Sequence, residues 1–273
     1  MTTLMPDQTP EGWGKAASAY DRSIVDRITA TYAAEAIRTL GVQPGDRLLD
    51  VATGPGTAAL AAAEAGAQVL AVDYASQMIE RLRLRATAAG ADIETAVMDG
   101  QALDLPDASF DLATCVFGLM FFPECARGFR ELARVLRPSG RAAVVTWAAP
   151  ERVPGISIWR EAAVAAVPDL PPPPAPPAIF SLSDPAALAG ELESAGFGGV
   201  RVVPVVRDWH FDSPESFWDE LHDAAPVQVA LLASLGDRTG LVRDALLSML
   251  HDRFGDGPVV FECEALLGLG VKG

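Results

Sequence analysis

Arg47-Leu48-Leu49-Asp50-Val51-Ala52-Thr53-Gly54-Pro55-Gly56-Thr57 is the most informative stretch of this 273-residue sequence. A short apolar run reaches an acid, crosses two glycines one residue apart, and opens into the alanine-rich segment from Ala58 to Glu64. That order predicts a buried strand, a tight turn and the start of a helix. Gly54 and Gly56 let the backbone take unusual dihedrals and let a ligand come close to it. The following helix turns unpaired N–H groups and the positive end of its dipole toward that ligand. The pattern suits a nucleotide-like cofactor.

With Ala59 in the last place, Gly54-x-Gly56-x-x-Ala59 also satisfies the dinucleotide fingerprint, so the turn alone does not separate a nicotinamide cofactor from S-adenosylmethionine. Asp50 does. A carboxylate just ahead of the glycines repels a pyrophosphate and suits the cationic ammonium of S-adenosylmethionine.

Working outward, Gln68 to Asp73 reads as a second buried strand that also ends in an acid. Asp73 lies 17 residues beyond Gly56, close to the spacing at which a carboxylate reaches ribose hydroxyls in a doubly wound fold. A lone acid at a strand end is often only a helix cap; the register with Gly56 favours ribose binding here. Met78, Ile79, Leu82 and Ala86 mark the buried face of the next helix. Ile93 to Val97 forms a third strand running into Met98-Asp99-Gly100-Gln101, the third acid in succession. Ligands of open parallel sheets sit at the carboxyl ends of the strands. Carboxylates gathered there suit hydroxyls, an ammonium or an exocyclic amine, and none suits a phosphate.

Phe110 to Phe117 is the fourth strand. The apolar loop Gly118 to Pro123 is expected to wall a substrate pocket, with core packing the plainer alternative. A helix over 124–136 is stopped by Pro138 and Gly140, and Ala142 to Trp147 is the fifth strand. Before all of these, residues 11–40 read as helical and partly amphipathic, with Trp13, Tyr20, Ile24, Ile28 and Tyr32 among the larger side chains. Tyr32 belongs in the core. Tyr20 is either core or part of a flap whose hydroxyl reaches a cofactor.

Asp50-x-Ala52-x-Gly54-x-Gly56, Asp73, Asp99-Gly100, Ser109-Phe110-Asp111 and Leu136-Arg137-Pro138-Ser139-Gly140 resemble the class I S-adenosylmethionine-dependent methyltransferases. The likeness is to the branch of ubiquinone/menaquinone C-methyltransferases and small-metabolite methyltransferases, and it covers residues 47–147. It implies an α/β fold: a Rossmann-like, seven-stranded, mostly parallel sheet whose last strand is antiparallel, with a helical lid. In that family the Gly54–Gly56 turn holds the amino-acid end of the cofactor, the residue matching Asp73 binds both ribose hydroxyls, and Asp99 with the Gly100 amide reads the adenine. Tyr20, Asp50, Ala52, Thr53 and Gln101 complete the expected cofactor set, with Tyr74, Met78, Val116 and Phe117. Ala52 and Ser139 are departures, each standing where glycine is the more regular residue.

The second half is less regular. Pro171 to Pro177 reads as a stiff spacer. Ser183-Asp184-Pro185 and Ser213-Pro214-Glu215 open capped helices, and a further helix spans about 240–254. Val200 to Phe211 is a strand whose Pro204 puts it at a sheet edge, and Val259 to Leu269 is the last strand. The expected organisation is a helical cap over 1–40, a cofactor-binding core over 41–149 and a proline-rich connection over 150–183. The rest of the sheet follows over 184–273, with a substrate lid inserted at 212–256.

A sulfonium methyl is already activated, so the protein must mainly hold a nucleophile in line with it and exclude water. If a base is needed, His222, one helical turn from Trp218, is the first candidate and His210 the second, while His251 looks exposed. Phe117, Met120, Phe121, Trp147, Trp159, Trp209 and Trp218 are candidates to line an apolar acceptor cavity. The fourth strand ends in Cys115-Val116-Phe117-Gly118, not in the Asn/Asp-Pro-Pro-aromatic signature of adenine-N6 and glutamine methyltransferases.

Formal net charge is −15, which argues against nucleic-acid substrates and anionic membrane surfaces. The three cysteines, Cys115, Cys125 and Cys263, are too few and scattered for a zinc site or disulfide framework, and no metal is expected. Met1 to Pro10 lacks signal-peptide character, and no apolar run spans a bilayer. These features lead us to expect a cytoplasmic enzyme with a small-molecule methyl acceptor, and leave a homo-oligomer open. Three other readings compete: the same scaffold catalysing a non-methylating reaction such as a cyclisation, a nicotinamide-dependent oxidoreductase, and a macromolecular methyltransferase, which the charge balance and the absence of a basic patch disfavour.

Overall fold

The computed structural model describes residues 4–172 and 177–273. Most of the Pro171–Pro177 spacer lies outside the described residues. The expected strands form: β1 (Arg47–Val51), β2 (Gln68–Asp73) and β4 (Phe110–Val116) are largely buried, and β3 (Ile93–Val97) lies at the sheet edge, part-exposed. Three more follow, β5 (Leu136–Trp147), β6 (Phe197–Phe211) and β7 (Val259–Lys272). Among the described residues they make one seven-stranded sheet in the order β3-β2-β1-β4-β5-β7-β6. The first five strands are parallel to one another, and β7 is antiparallel to both β5 and β6. The strand order reverses between β1 and β4, and a crevice opens there beyond the strand ends.

Pro204 sits in β6 opposite Leu266 of β7, at the sheet edge. A residue without an N–H is tolerated there because the edge strand has an unpaired side. β5 begins six residues earlier than expected. Pro138 and Gly140 do not interrupt it; the pairing with β4 shifts register between Phe110 and Leu112, and Ser139 takes φ +66°. A bulge absorbs the residues that, read alone, look like breakers.

The expected N-terminal helix is one unbroken helical run with a change of winding. It comprises α1 (Pro10–Tyr20), a π-helical stretch (Asp21–Thr29) and α2 (Ala30–Leu40), closed by Gly41 at φ +71°. α3 (Thr57–Glu64), α4 (Ser76–Ala89) and α5 (Cys125–Val135) connect the parallel strands. The 150–183 connection is not merely a spacer: it holds α6 (Pro154–Ala166), with Trp159 buried. α7 (Pro185–Ser194) precedes β6, and between β6 and β7 lie α8 (Pro214–Leu221), α9 (Pro226–Leu235) and α10 (Thr239–Phe254).

Tyr32 is core, as expected. Its hydroxyl donates to the Cys263 carbonyl at 2.8 Å and accepts from Trp209 Nε1 at 3.2 Å, so a buried phenol is fully paired. No helix of the described residues is long and apolar enough to cross a membrane.

Candidate active site

The turn after β1 is built from left-handed backbone: Ala52 has φ +53°, Gly54 +54° and Gly56 +92°. Ala52 thus occupies a conformation that glycine takes without penalty. The two glycines do different work. A Cβ on Gly54 would meet nothing within 4 Å, whereas one on Gly56 would lie 2.1 Å from Leu82 Cδ1. Gly54 faces open space where a ligand can approach; Gly56 allows α3 and α4 to pack.

Asp50 is 1% exposed. Its two carboxylate oxygens accept from the hydroxyls of Thr53 (2.6 Å) and Thr114 (2.8 Å). It does not line the cavity beside the turn. The acid lies beneath the turn and ties it to β4. Asp73 does line the cavity. One of its oxygens accepts from the Gly54 amide and the other from the Ala75 amide, both at 2.9 Å. Each oxygen keeps a lone pair for a further donor. Burial pushes both carboxyls up to about 6.

This first cavity, of about 580 Å³, takes in Tyr20, Ala52, Thr53, Gly54, Asp73, Tyr74, Met78, Val116 and Phe117. A smaller recess of about 280 Å³ shares Ala52 and Tyr74 with it and is lined by Asp99, Gly100 and Gln101. There Asp99 accepts from the Gln101 amide at 2.9 Å. Gly100 lets the Phe122 ring close over the backbone, since a Cβ would fall 2.6 Å from it. Of the expected cofactor residues, Asp50 and Gly56 alone line neither space.

A second cavity of about 570 Å³ lies alongside, walled by Met120, Trp147, Ile156, Ile179 and Trp209 among others. The two cavities share Trp13, Tyr20, Thr29, Phe117 and Phe121. Phe117 is at φ +58°, an outlier for a bulky residue. Its amide is held by the Val145 carbonyl at 2.8 Å, and its ring stacks on Trp147 at 3.9 Å. Strain of this kind persists where the surroundings over-determine it, commonly at functional sites. The π-helical stretch delivers Ile24, Ile28 and Thr29 to the same seam; such winding often marks functional sites.

Both candidate bases lie elsewhere. His210 is exposed, with its carbonyl accepting from Arg27. His222 stacks on Trp218 at 5.5 Å, with Nδ1 3.1 Å from the Trp218 carbonyl. Neither histidine lines either cavity. His251 sits between Glu215 and Asp256, and Glu215 holds it above the usual imidazole range. Trp159 and Trp218 also do not line the second cavity. They stack at 5.4 Å, and Trp159 stacks again on buried Phe217. Among the described residues, Tyr20 is the one ionisable side chain on the second cavity, and burial raises its phenol. No group there is poised to take a proton near neutrality. The sequence reading did not single out Thr29, Pro55, Thr57 or Phe122 for the first cavity; only Thr57 and Pro55 carried a signal, through their place in the turn.

Residues 49–144 match the family model described as a methyltransferase domain. The chain is 32% identical over 177 residues to a demethylmenaquinone methyltransferase of Mycobacterium sp. strain KMS, an alignment covering 61% of this chain and 74% of that protein. It therefore belongs to the class I S-adenosylmethionine-dependent methyltransferases. A Mycobacterium tuberculosis protein is 35% identical over 125 residues, 46% of each chain, so the chain spans about half the length of the first curated relatives it matches. Among solved structures, YcgJ of Bacillus subtilis superposes with a TM-score of 0.60 at 20% identity, covering 89% of this chain and 98% of that one. That likeness is one of fold. The residues fit the family's cofactor: Gly54 leaves room for close approach, and Asp73 and Asp99 offer acceptors to hydroxyls and an amine.

Proposed function

We propose that this chain methylates a small, apolar, aromatic acceptor held in the second cavity, with S-adenosylmethionine in the first. When bound, that cofactor supplies an electrophilic methyl group on a sulfonium. Asp73 would accept from the ribose hydroxyls, and Asp99 with the Gly100 amide would read the adenine edge. The Gly54 turn would receive the amino-acid end, kept in shape from below by Asp50. The single observation that carries the reading is the common wall of Trp13, Tyr20, Thr29, Phe117 and Phe121 between the two cavities. In-line transfer needs donor and acceptor about 3 Å apart in a dry site, and a shared lining of rings and one small alcohol supports such a site by setting the two spaces side by side.

The mycobacterial relative's name points to a quinone-related acceptor for that protein. An acceptor of that kind suits this cavity because its hydroquinone, once ionised to an enolate-like form, attacks the methyl through a ring carbon without a protein base, and the displaced ring proton passes to solvent. The same lack of a base leaves room for the cyclisation reading, which needs only an apolar enclosure. Incubation with methyl-labelled S-adenosylmethionine and a panel of 2-alkyl-1,4-naphthoquinols, catechols and aromatic amines separates them. Labelled product with equimolar S-adenosylhomocysteine supports methyl transfer. Product without S-adenosylhomocysteine favours cyclisation, and failure to label any of the panel counts against the proposed acceptor class.

A further inference from the structure

The second cavity is walled by rings and aliphatic chains, but one amide reaches it. Gln228, on the first turn of α9, lines this cavity and is 9% exposed. Its amide oxygen has no hydrogen-bond partner among the described residues. Several other polar side-chain atoms around the same cavity are already engaged. Trp13 Nε1 donates to the Asp7 carbonyl at 2.8 Å, Trp209 Nε1 donates to Tyr32, and the Thr29 hydroxyl donates to the Val25 carbonyl at 3.3 Å. A buried acceptor left unpaired is costly, and such groups usually have a reason to be there. A half-turn of the amide exchanges its oxygen and nitrogen, so Gln228 can offer either face to a ligand.

We propose that Gln228 selects the acceptor by hydrogen-bonding a hydroxyl group carried on its aromatic body. This rests on the assignment of the second cavity to the acceptor. An enclosure of rings alone would take hydrocarbons and phenols by size and apolarity. With an orphaned amide oxygen in its wall it favours the ligand that brings a donor, because a ligand without one leaves the oxygen both dry and unpaired. Gln228 does not titrate near neutrality, so its part is recognition and orientation and involves no proton transfer. Its position on α9 ties acceptor choice to the insertion between β6 and β7, not to the cofactor-binding strands.

The test compares 2-naphthol with 2-methylnaphthalene, similar in size and differing in the donor, by equilibrium dialysis against the full chain with and without S-adenosylhomocysteine. In Gln228→Leu the preference for 2-naphthol over 2-methylnaphthalene should fall by about tenfold relative to wild type, the scale of one lost hydrogen bond in a buried site. Binding of 2-methylnaphthalene should hold or tighten. Gln228→Met, of matching length, serves if the leucine variant does not fold, and S-adenosylhomocysteine uptake reports folding in each. A preference that changes by less than threefold, or no binding of 2-naphthol to wild type, overturns the proposal. Failure of wild type to take up S-adenosylhomocysteine would instead sink the cofactor assignment, while the naphthol preference would still score Gln228 on its own.

Discussion

Asp73 is the residue on which the cofactor assignment turns. It already accepts two backbone amides that shape the turn and the start of α4. Asp73→Ala should weaken S-adenosylmethionine binding by about 1–3 kcal/mol, since a charged acceptor for two hydroxyls is lost. Calorimetry measures this, and an unchanged affinity would overturn the assignment. The same carboxyl makes binding depend on pH. Asp50 and Asp73 both titrate near 6 in the folded chain and near 4 when unfolded. The folded state thus holds extra protons between those values, and stability attributable to the pair falls as pH rises from about 4 to about 6, then levels off. A cationic ligand favours the ionised pair. S-adenosylmethionine affinity should therefore be flat above about pH 7 and weaken below about 6, approaching tenfold per unit for each group that must ionise. Asp73→Asn should flatten that profile. The histidines should matter little: His222→Ala and His210→Ala are expected to leave turnover within about twofold of wild type, because neither side chain reaches a cavity. A hundredfold loss in either would restore it as a base. Asp50, Asp73 and Asp99 were legible from sequence as acids at strand ends. That Asp50 faces inward was not, because hydrogen bonds to Thr53 and to Thr114 on another strand decide it.

At the scale of elements, strands were easier to read than helices. Buried parallel strands are mostly apolar runs between turn residues, and β1, β2 and β4 appear where those runs stand. Proline explains much of what was missed. α1, α6, α7, α8 and α9 each open on a proline, at Pro10, Pro154, Pro185, Pro214 and Pro226. The first turn tolerates proline because its N–H would be unpaired there anyway. Where a serine or aspartate preceded it, at Asp184 and Ser213, the cap gave the helix away. Val153 and Ala225 give no such signal before α6 and α9, and those helices went unseen. The turn between β1 and α3 makes the sharpest prediction at this scale. Gly56→Ala would drive a methyl to 2.1 Å from Leu82 Cδ1 at a φ of +92°, and should destabilise the chain by roughly 2–4 kcal/mol. Urea denaturation measures it; a loss under 1 kcal/mol would mean that α4 yields easily. Gly54→Ala meets no atom within 4 Å and should cost the fold less while obstructing the ligand.

On the scale of the whole molecule, the N-terminal run is a strap over the sheet. Asp21, 8% exposed, pairs with Arg81 at 2.6 Å and Arg85 at 3.0 Å on α4, and Arg27 reaches Glu220 on α8 at 3.0 Å. Breaking the first of these leaves two guanidinium groups short of a partner, a loss of about 1–3 kcal/mol confined to the strap. Asp21→Ala should therefore speed proteolysis before residue 30 and quicken release of S-adenosylhomocysteine, with a smaller effect on global unfolding. Equal protection in the variant would show that packing of Trp13 and Tyr20 suffices. The sequence suggested a cap because aromatics precede the first strand. It did not reveal the salt links, since Asp21 and Arg81 are sixty residues apart and nothing local joins them.

Trp13, Tyr20 and Thr29 belong at once to both chambers. A roof shared in this way has no separate doors. With the occupants proposed above, whatever lifts it for the spent adenosyl compound would also unseal the room beside it, and a tight-binding blocker lodged in one chamber would trap the occupant of the other.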